Sequence, residues 1–494
     1  MKKYILSIDQ GTTGTTVLII DKKITIKAKV NNEFTQHYPQ PGWVEHDASE
    51  IWDVSVKTIH DAIKKAKIKA HEIAAISITN QRETTVAWQR STSNPLYKAI
   101  VWQDRRTAPV CEHLIKKGLQ TIVRNKTGLV LDAYFSGTKM GWYMKNVKKT
   151  KALALKKDLA FGTIDSWLVW KLTAGKAHVT DVSNASRTLL LNLKTLKWDK
   201  ELLKIFHVPL NTLPKVCSSS EIYGYTQGIK GLPDGIPVAG IAGDQQAALF
   251  GQACFTPGEA KCTYGTGSFL LMNIGSKPSF TKSGLLTTVA WKIGNKTTYA
   301  FEGSAFIAGA AVQWLRDELK IIHKASDIEK LAKTVNDNGG VYFVPALAGL
   351  GSPHWNPHAR GTLCGLTRGS NQGHIARATL EGIAFLQKDI VHAMQKACKK
   401  KLKTLKVDGG AVTNNLLMQF QADILDTKLV RPKIIETTAL GSAFLAGLAV
   451  GFWKSQDEIK KTFKVDRVFV SKMNKTERSR LLAEWHRAIG KAIS

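Results

Sequence analysis

YILSIDQGTTGTTVLII, residues 4–20, decides how this chain of 494 residues folds. An apolar run from residue 4 ends in Asp9, and a second apolar run occupies Val17–Ile20. Between them, Gln10-Gly11-Thr12-Thr13-Gly14 supplies two glycines and small hydroxyl side chains, the composition of a tight turn. Ile24, Ile26, Ala28 and Val30 then alternate with Thr25, Lys27 and Lys29, the period of a half-buried strand. Three consecutive strands are predicted. The layout returns near residue 260 as Ala260–Thr263, then Tyr264-Gly265-Thr266-Gly267, then Ser268–Ile274. Gly11-Thr12 and Gly265-Thr266 hold matching places, and each unit leads, after a further strand, into helix–strand alternation. Two α/β domains of similar build follow. The stretch from Gly251 to Gly258, with Pro257, divides them into 1–251 and 252–494. No low-complexity linker separates the halves, which predicts a shared cleft between them.

Outward from these hairpins, Ile73–Thr79, Ala99–Trp102, Phe161–Ile164 and Ile236–Gly243 read as buried strands that deliver polar residues at their ends. Ile375, Ile383, Leu386, Ile390, Met394 and Ala397 keep helical spacing and lead to a strand at Leu405–Val407, which ends in Asp408-Gly409-Gly410. The uncharged stretch Thr437–Trp453 is 17 residues long and contains Gly441, Gly447 and Gly451. A bilayer span needs ~20 mostly apolar residues, so the stretch reads as a closely packed core helix and no integral membrane segment is expected. Six cysteines without a CxxC pair suggest neither a zinc site nor a disulfide framework, and the expected setting is cytoplasmic. The net charge of +31 raises the question of nucleic acid. Its lysines fall in short groups all along the chain (Lys64–Lys65, Lys116–Lys117, Lys148–Lys149, Lys156–Lys157, Lys399–Lys401, Lys460–Lys461), with no aromatic-laced basic segment. They read as solvated helix faces, and no nucleic-acid partner is expected.

Phosphoryl transfer needs a cradle for anionic oxygens, a site for Mg²⁺ and an acceptor hydroxyl held in line. Glycine-rich turns let backbone amides converge on phosphate, and threonine hydroxyls add uncharged donors. The turn from Asp9 to Thr16 has that chemistry, as does Gly265-Thr266-Gly267-Ser268. Either alone reads as no more than a turn; together with Gly409-Gly410 they form a pattern. No GxxxxGK[ST] loop is present, which excludes a Walker-type site. Asp9, at the end of the first strand, is the candidate Mg²⁺ carboxylate, acting through water.

The segments IDQGTT (8–13), PGWVEHD (41–47), ITNQRETT (78–85), VWQDRRT (101–107), AGDQQAALFGQ (242–252), YGTGSF (264–269), AGAAVQWLRD (308–317) and VDGGAVTNNLLMQFQAD (407–423) resemble the FGGY carbohydrate-kinase family. NQRET and AGDQQAALFGQ are similar to its glycerol-kinase branch. The resemblance implies two duplicated domains of the actin and Hsp70-like (ribonuclease H-like) ATPase build, with a cleft between them. It implies ATP-dependent phosphorylation of glycerol with Mg²⁺ as cofactor; a homo-oligomer, dimer or tetramer, is the expected assembly. Arg82, Glu83, Tyr134, Asp244 and Gln245 would hold the hydroxyls of glycerol, with Trp102 and Phe269 against its carbons and Asp244 as general base. Thr12, Thr13, Gly14 and Thr266 would surround the phosphates. Gly309 and Gln313 would lie near phosphates and ribose, and Gly410 and Asn414 near the adenosine. On the residues alone, Arg82–Glu83 reads sooner as a surface ion pair, Asp244 as a helix N-cap and Tyr134 as an interface side chain, and it is the resemblance that turns these readings to the site.

One departure bears on the chemistry. Family members usually read Asp-Gln-Gly-Thr-Thr-Ser-Ser-Arg in the first loop, whereas Gly14, Thr15 and Thr16 stand here, so the arginine expected beside the transferring phosphate is absent. Two rival functions stay open on the sequence: a kinase for another small polyol or a pentulose, and a non-catalytic nucleotide-dependent binding protein on the actin-like fold.

Overall fold

A computed structural model describes residues 2–399 and 401–494. In the first half, β1 (Tyr4–Gln10), β2 (Gly14–Asp21) and β3 (Ile26–Glu33) form an antiparallel meander, followed by α1 (Ala48–Ala66), β4 (Ile73–Asn80), α2 (Ile164–Leu172), β5 (Pro237–Gly243) and α3 (Asp244–Gly251). In the second, β6 (Ala260–Tyr264), β7 (Ser268–Gly275), β8 (Leu286–Ile293) and β9 (Lys296–Ala305) precede α4 (Gly309–Asp317), α5 (Gln372–Cys398), β10 (Thr404–Asp408), α6 (Asn415–Leu425), β11 (Lys428–Pro432) and α7 (Thr437–Ala449). The first sheet runs β5-β4-β1-β2-β3 and the second β9-β7-β6-β10-β11, with an extra strand outside β5 and outside β11 and with β8 outside β9. In both, the first strand is antiparallel to its hairpin partner and parallel to the strand on its other side. The duplication inferred from the two Gly-Thr turns is therefore a duplication of sheet order and direction.

Local chemistry accounts for the elements. The Asp47 carboxylate accepts from the amides of Ser49 at 2.8 Å and Glu50 at 3.3 Å and starts α1, whose buried Ile51, Ser55, Ile59 and Ala62 share one face. Ile24, expected inside the third strand, lies before it: Asp21 Oδ1 accepts from the amides of Lys23 and Thr25, both at 2.9 Å, and closes a turn with Ile24 at φ 62°. Its side chain is still buried, which is why it matched the alternation. The strand expected at Phe161–Ile164 runs Leu159–Thr163, and Ile164 opens α2. Of Ala99–Trp102 only Ala99–Ile100 pairs as strand. Residues 85–89, 99–100 and 159–163, all between β4 and β5, join residues 45–46, which precede α1, in a separate four-stranded sheet beside the loop after β4.

The paired lysines are exposed as expected, with Lys400 outside the described residues. The uncharged stretch from Thr437 is helix α7, apolar all round and buried from Ala439 to Gly447. No described helix is long and apolar enough to cross a membrane. α7 packs against α3, its counterpart in the other half, and a cluster of Ile5, Ala242, Ala247, Phe250, Leu271, Ala443 and Leu445 joins the two sheets through them. Close approach is possible because both helices lack side chains at the contact: a Cβ on Gly251 would run into the Thr437 carbonyl, and one on Gly441 into the Ala247 carbonyl. Gly441→Ala should thus overpack this contact and lower stability by about 1–3 kcal/mol. Gly410→Ala, where a Cβ meets nothing within 4 Å, should stay within about 0.5 kcal/mol of the parent. Urea midpoints of the two variants measure this, and equal midpoints would refute the account of the α3–α7 contact.

Candidate active site

The carboxyl ends of β1, β4 and β5 in the first sheet, and of β6 and β10 in the second, carry the polar residues that the sequence singles out, as is usual for ligand sites in α/β sheets. The loop after β4 is fixed letter by letter. Asn80 and Asn184 exchange side-chain hydrogen bonds of 3.0 and 3.1 Å. The Gln81 amide donates to the Gln10 carbonyl at 2.7 Å, and its side chain donates to Gly11 O at 3.0 Å, tying the loop to the first hairpin. Thr84 Oγ1 donates to Gln81 Oε1 at 2.9 Å. Glu83 sits at φ 62°, an unusual conformation for a residue with a Cβ, and it turns both Arg82 and Glu83 inward.

Arg82 and Glu83 are buried, not a surface pair. The Arg82 guanidinium grips Glu302 on β9 through two bonds, Nη1 to Oε2 at 2.5 Å and Nη2 to Oε1 at 3.1 Å. Nη1 also donates to Gln246 Oε1 and Nη2 to the Tyr134 hydroxyl, each at 3.3 Å. Nε faces Asp244 Oδ1 at 3.2 Å. Arg187, equally buried, donates from Nε to Glu83 Oε1 at 2.7 Å and from Nη2 to Glu302 Oε1 at 2.9 Å, and lies over the rings of Tyr134 and Phe135. Burial pushes the Glu302 carboxyl up, but Arg187 and Arg82 outweigh it and hold the group at about 2. Burial dominates at Glu83, whose carboxyl is raised despite the same two arginines.

Asp244 is the first residue of α3; Gly243 is the N-cap, so the capping role open in the sequence is not the one it takes. Its side chain remains about one-third exposed, at 31%. Trp102 donates from Nε1 to Thr12 Oγ1 at 3.0 Å and meets Tyr134 edge to face at 5.6 Å. Thr12, Trp102, Tyr134, Arg82 and Asp244 are thereby one connected set, with Gln245 next to Asp244 in the chain. Phe269, on β7, is half-buried opposite Thr263. The Asp9 carboxylate accepts no protein hydrogen bond among the described residues; burial, then the charge of Asp244, raise it to about 7 against the pull of Lys29. A carboxylate that the protein leaves unpaired beside a second one suits a hard divalent cation with mostly water and phosphate ligands.

The nucleotide candidates lie around the second hairpin and β10. Thr266 and Gln313 are exposed, and Gly309 is clasped to the hairpin: its amide donates to Gly265 O at 2.9 Å, while the amides of Ala308 and Ala310 donate to Thr266 O. Gly409, at φ 92°, is demanded by Tyr264, whose backbone a Cβ would strike, whereas Gly410 faces open space. Asn414 caps α6, its Oδ1 accepting from the Leu417 amide at 2.9 Å. In the first hairpin Thr13 is exposed, and Gly14 has a packing reason of its own, since a Cβ would lie 2.9 Å from Asn32 O. Sequence reasoning missed Glu302, Arg187, Gln246 and Lys261. A lone acid in Tyr299-Ala300-Phe301-Glu302-Gly303 and a lone lysine in Ala260-Lys261-Cys262 were the available signals, since a charge inside a buried strand needs a partner.

The N-terminal domain model of the FGGY family of carbohydrate kinases matches residues 4–251, and its C-terminal domain model matches residues 260–450. The chain is 57% identical over 492 residues to a glycerol kinase of Myxococcus xanthus, covering 99% of each, and 56% identical over 492 residues to glycerol kinase 2 of Thermotoga maritima, again covering 99% of each. Among solved structures, Plasmodium falciparum glycerol kinase with ADP aligns at a TM-score of 0.93 with 39% identity, covering 99% of this chain and 98% of that one. Gluconate kinase from Lactobacillus acidophilus aligns at 0.88 with 26% identity, covering 99% of each chain. The chain belongs to the FGGY family of carbohydrate kinases.

Proposed function

We propose that this protein transfers the γ-phosphoryl group of ATP to a terminal hydroxyl of glycerol, giving sn-glycerol 3-phosphate and ADP. The carrying observation is Arg82, locked by Glu302 with its Nε left facing Asp244 Oδ1 at 3.2 Å. This places a donor and an acceptor side by side, as a hydroxyl requires. A triol offers neither charge nor a large apolar face, so its affinity must come from such convergent polar groups. Four of the five Arg82 N–H donors are hydrogen-bonded within the protein. A substrate oxygen is therefore read by Nε, or by displacing the 3.3 Å contact to Tyr134. Glu83, Tyr134 and Gln245 complete the hydroxyl contacts, and Trp102 and Phe269 flank the carbons.

In the reaction, Asp244 accepts the proton of the terminal hydroxyl as its oxygen attacks the γ-phosphorus, and ADP carries away the bridging oxygen. Thr12, Thr13 and Thr266 donate to phosphate oxygens, with Gly14 admitting the chain close by; Gln313, Gly309, Gly410 and Asn414 border the ribose and adenine. Asp9 would hold Mg²⁺ through water, and the ion supplies neutralising charge on the phosphates. The domain division at 251/252 and assembly into a homodimer or homotetramer belong to the same proposal.

Three measurements test it. In a coupled assay for ADP release, Asp244→Asn should cut glycerol-dependent turnover by about 10³-fold; near-parent turnover, or faster use of xylulose or gluconate than of glycerol, would sink the reading. Asp9 carries a folded-state value above its unfolded one, so its ionisation opposes folding: the penalty is complete above about 7 and fades as pH falls toward the ordinary carboxylate range. Asp9→Asn should accordingly raise the thermal midpoint of the ligand-free protein at pH 8, with a smaller gain at pH 5, while abolishing turnover. A lowered midpoint at pH 8 contradicts this. Thr16 stands directly across the hairpin from Asp9, and its hydroxyl bonds only Asn31 Oδ1 among the described residues. Thr16→Arg should therefore restore a cation at the phosphates and raise kcat/KM for ATP about tenfold; no change, or a loss, counts against that role for the position.

A further inference from the structure

Lys261 has no task in the chemistry above, yet it is completely buried, at 0% exposure, on β6 at the foot of the site. Its ammonium donates to Gln245 Oε1 at 2.5 Å, to Thr263 Oγ1 at 2.8 Å and to the Phe269 carbonyl at 3.4 Å. Burial pushes it down, with Asp408 and Asp244 among the groups that counter. Taking an ammonium out of water is costly, and an apolar side chain of the same length would fill the space without that cost. A lysine has donors only, so it dictates which end of a neighbouring amide faces it. The Gln245 oxygen must turn to Nζ, and the Nε2 end must turn away. Nε2 finds no protein acceptor among the described residues and is not among the fully buried orphan atoms, so it faces the open side of the residue that follows Asp244 in the chain. An amide without such a lock could offer the substrate either its oxygen or its nitrogen, and an oxygen there would compete with Asp244 for the hydroxyl proton.

We propose that Lys261 is a positioning residue that locks the Gln245 side-chain amide with its N–H groups toward the acceptor hydroxyls, so that residues 244 and 245 present one acceptor and one donor. The proposal rests on the reading of this pocket as the glycerol site. It links β6 of the second half to α3 of the first, so the lock spans the domain division.

A double-mutant cycle tests it, with KM for glycerol, KM for ATP and kcat measured separately for Lys261→Met, Gln245→Ala and the pair. Lys261→Met should raise KM for glycerol about tenfold or more and leave KM for ATP within about twofold; in the Gln245→Ala background the same change should move KM for glycerol less than about twofold. Additive effects in the double variant, or an unchanged KM for glycerol in Lys261→Met, overturn the proposal. If Lys261→Met does not fold, Gln245→Glu keeps an acceptor for Lys261 but replaces the donor with a carboxylate oxygen. It should raise KM for glycerol about tenfold with the thermal midpoint retained, and a parent-like KM overturns the proposal. An unchanged KM for glycerol in Gln245→Ala alone instead overturns the pocket reading, and the proposal with it.

Discussion

Glu302 and the two arginines that hold it set the terms for the rest of the molecule. Three charges taken out of water cost several kcal/mol each, and only mutual pairing with good geometry offsets that. Arg82 satisfies the condition with two bonds to one carboxylate and Arg187 with one bond to each of two carboxylates. Each partner comes from a different part of the chain: the loop after β4, the segment after residue 185, and β9 of the second sheet. The cluster can form only when both halves are folded and docked. The charged cluster is thus assembled from both sheets and held rigid by its own hydrogen bonds, which is the preorganisation that a polar site requires.

That dependence explains what the sequence disclosed. Turn chemistry is local, so Gly11-Thr12 and Gly265-Thr266 announced two hairpins and a repeated layout, whereas the order of strands within each sheet is set by pairings between residues far apart in the chain. Asp244 was legible because a strand ending in an acid at a helix start is a local pattern. Glu302 was not, because its partner Arg82 lies 220 residues away and neither letter carries the other's position. Ile24 misled for a physical reason: burial alone mimics strand alternation, and a carboxylate-closed turn can bury a residue as well as a strand can.

Glycines divide on the same principle. Gly14, Gly251, Gly409 and Gly441 are each required by a neighbouring backbone that a Cβ would strike, so their presence says little about ligands. Gly410 is different, since nothing in the protein occupies the space a side chain would take. Only the packed structure separates the two kinds, and the one with open space is the better pointer to a ligand surface.

The two halves also show how one fold was made asymmetric. Aligned on their glycine turns, Asp9 on β1 corresponds to Thr263 on β6, and the paired positions on the next parallel strands are Thr79 and Asp408. Each half therefore carries one aspartate and one threonine in this row, in opposite order. Asp408 is engaged through Oδ2, which accepts from Gln252 Nε2 at 2.7 Å and Thr437 Oγ1 at 2.5 Å, and so braces the start of α7. Asp9 receives no such bonds among the described residues, and its carboxyl is raised to about 7. A carboxylate that the protein supplies with donors is part of the scaffold; one left without them is not. The same residue type in the same row is tied into the scaffold in the second half and left unpaired, with its carboxyl raised, in the first, because hydrogen-bond donors were placed beside only one of them.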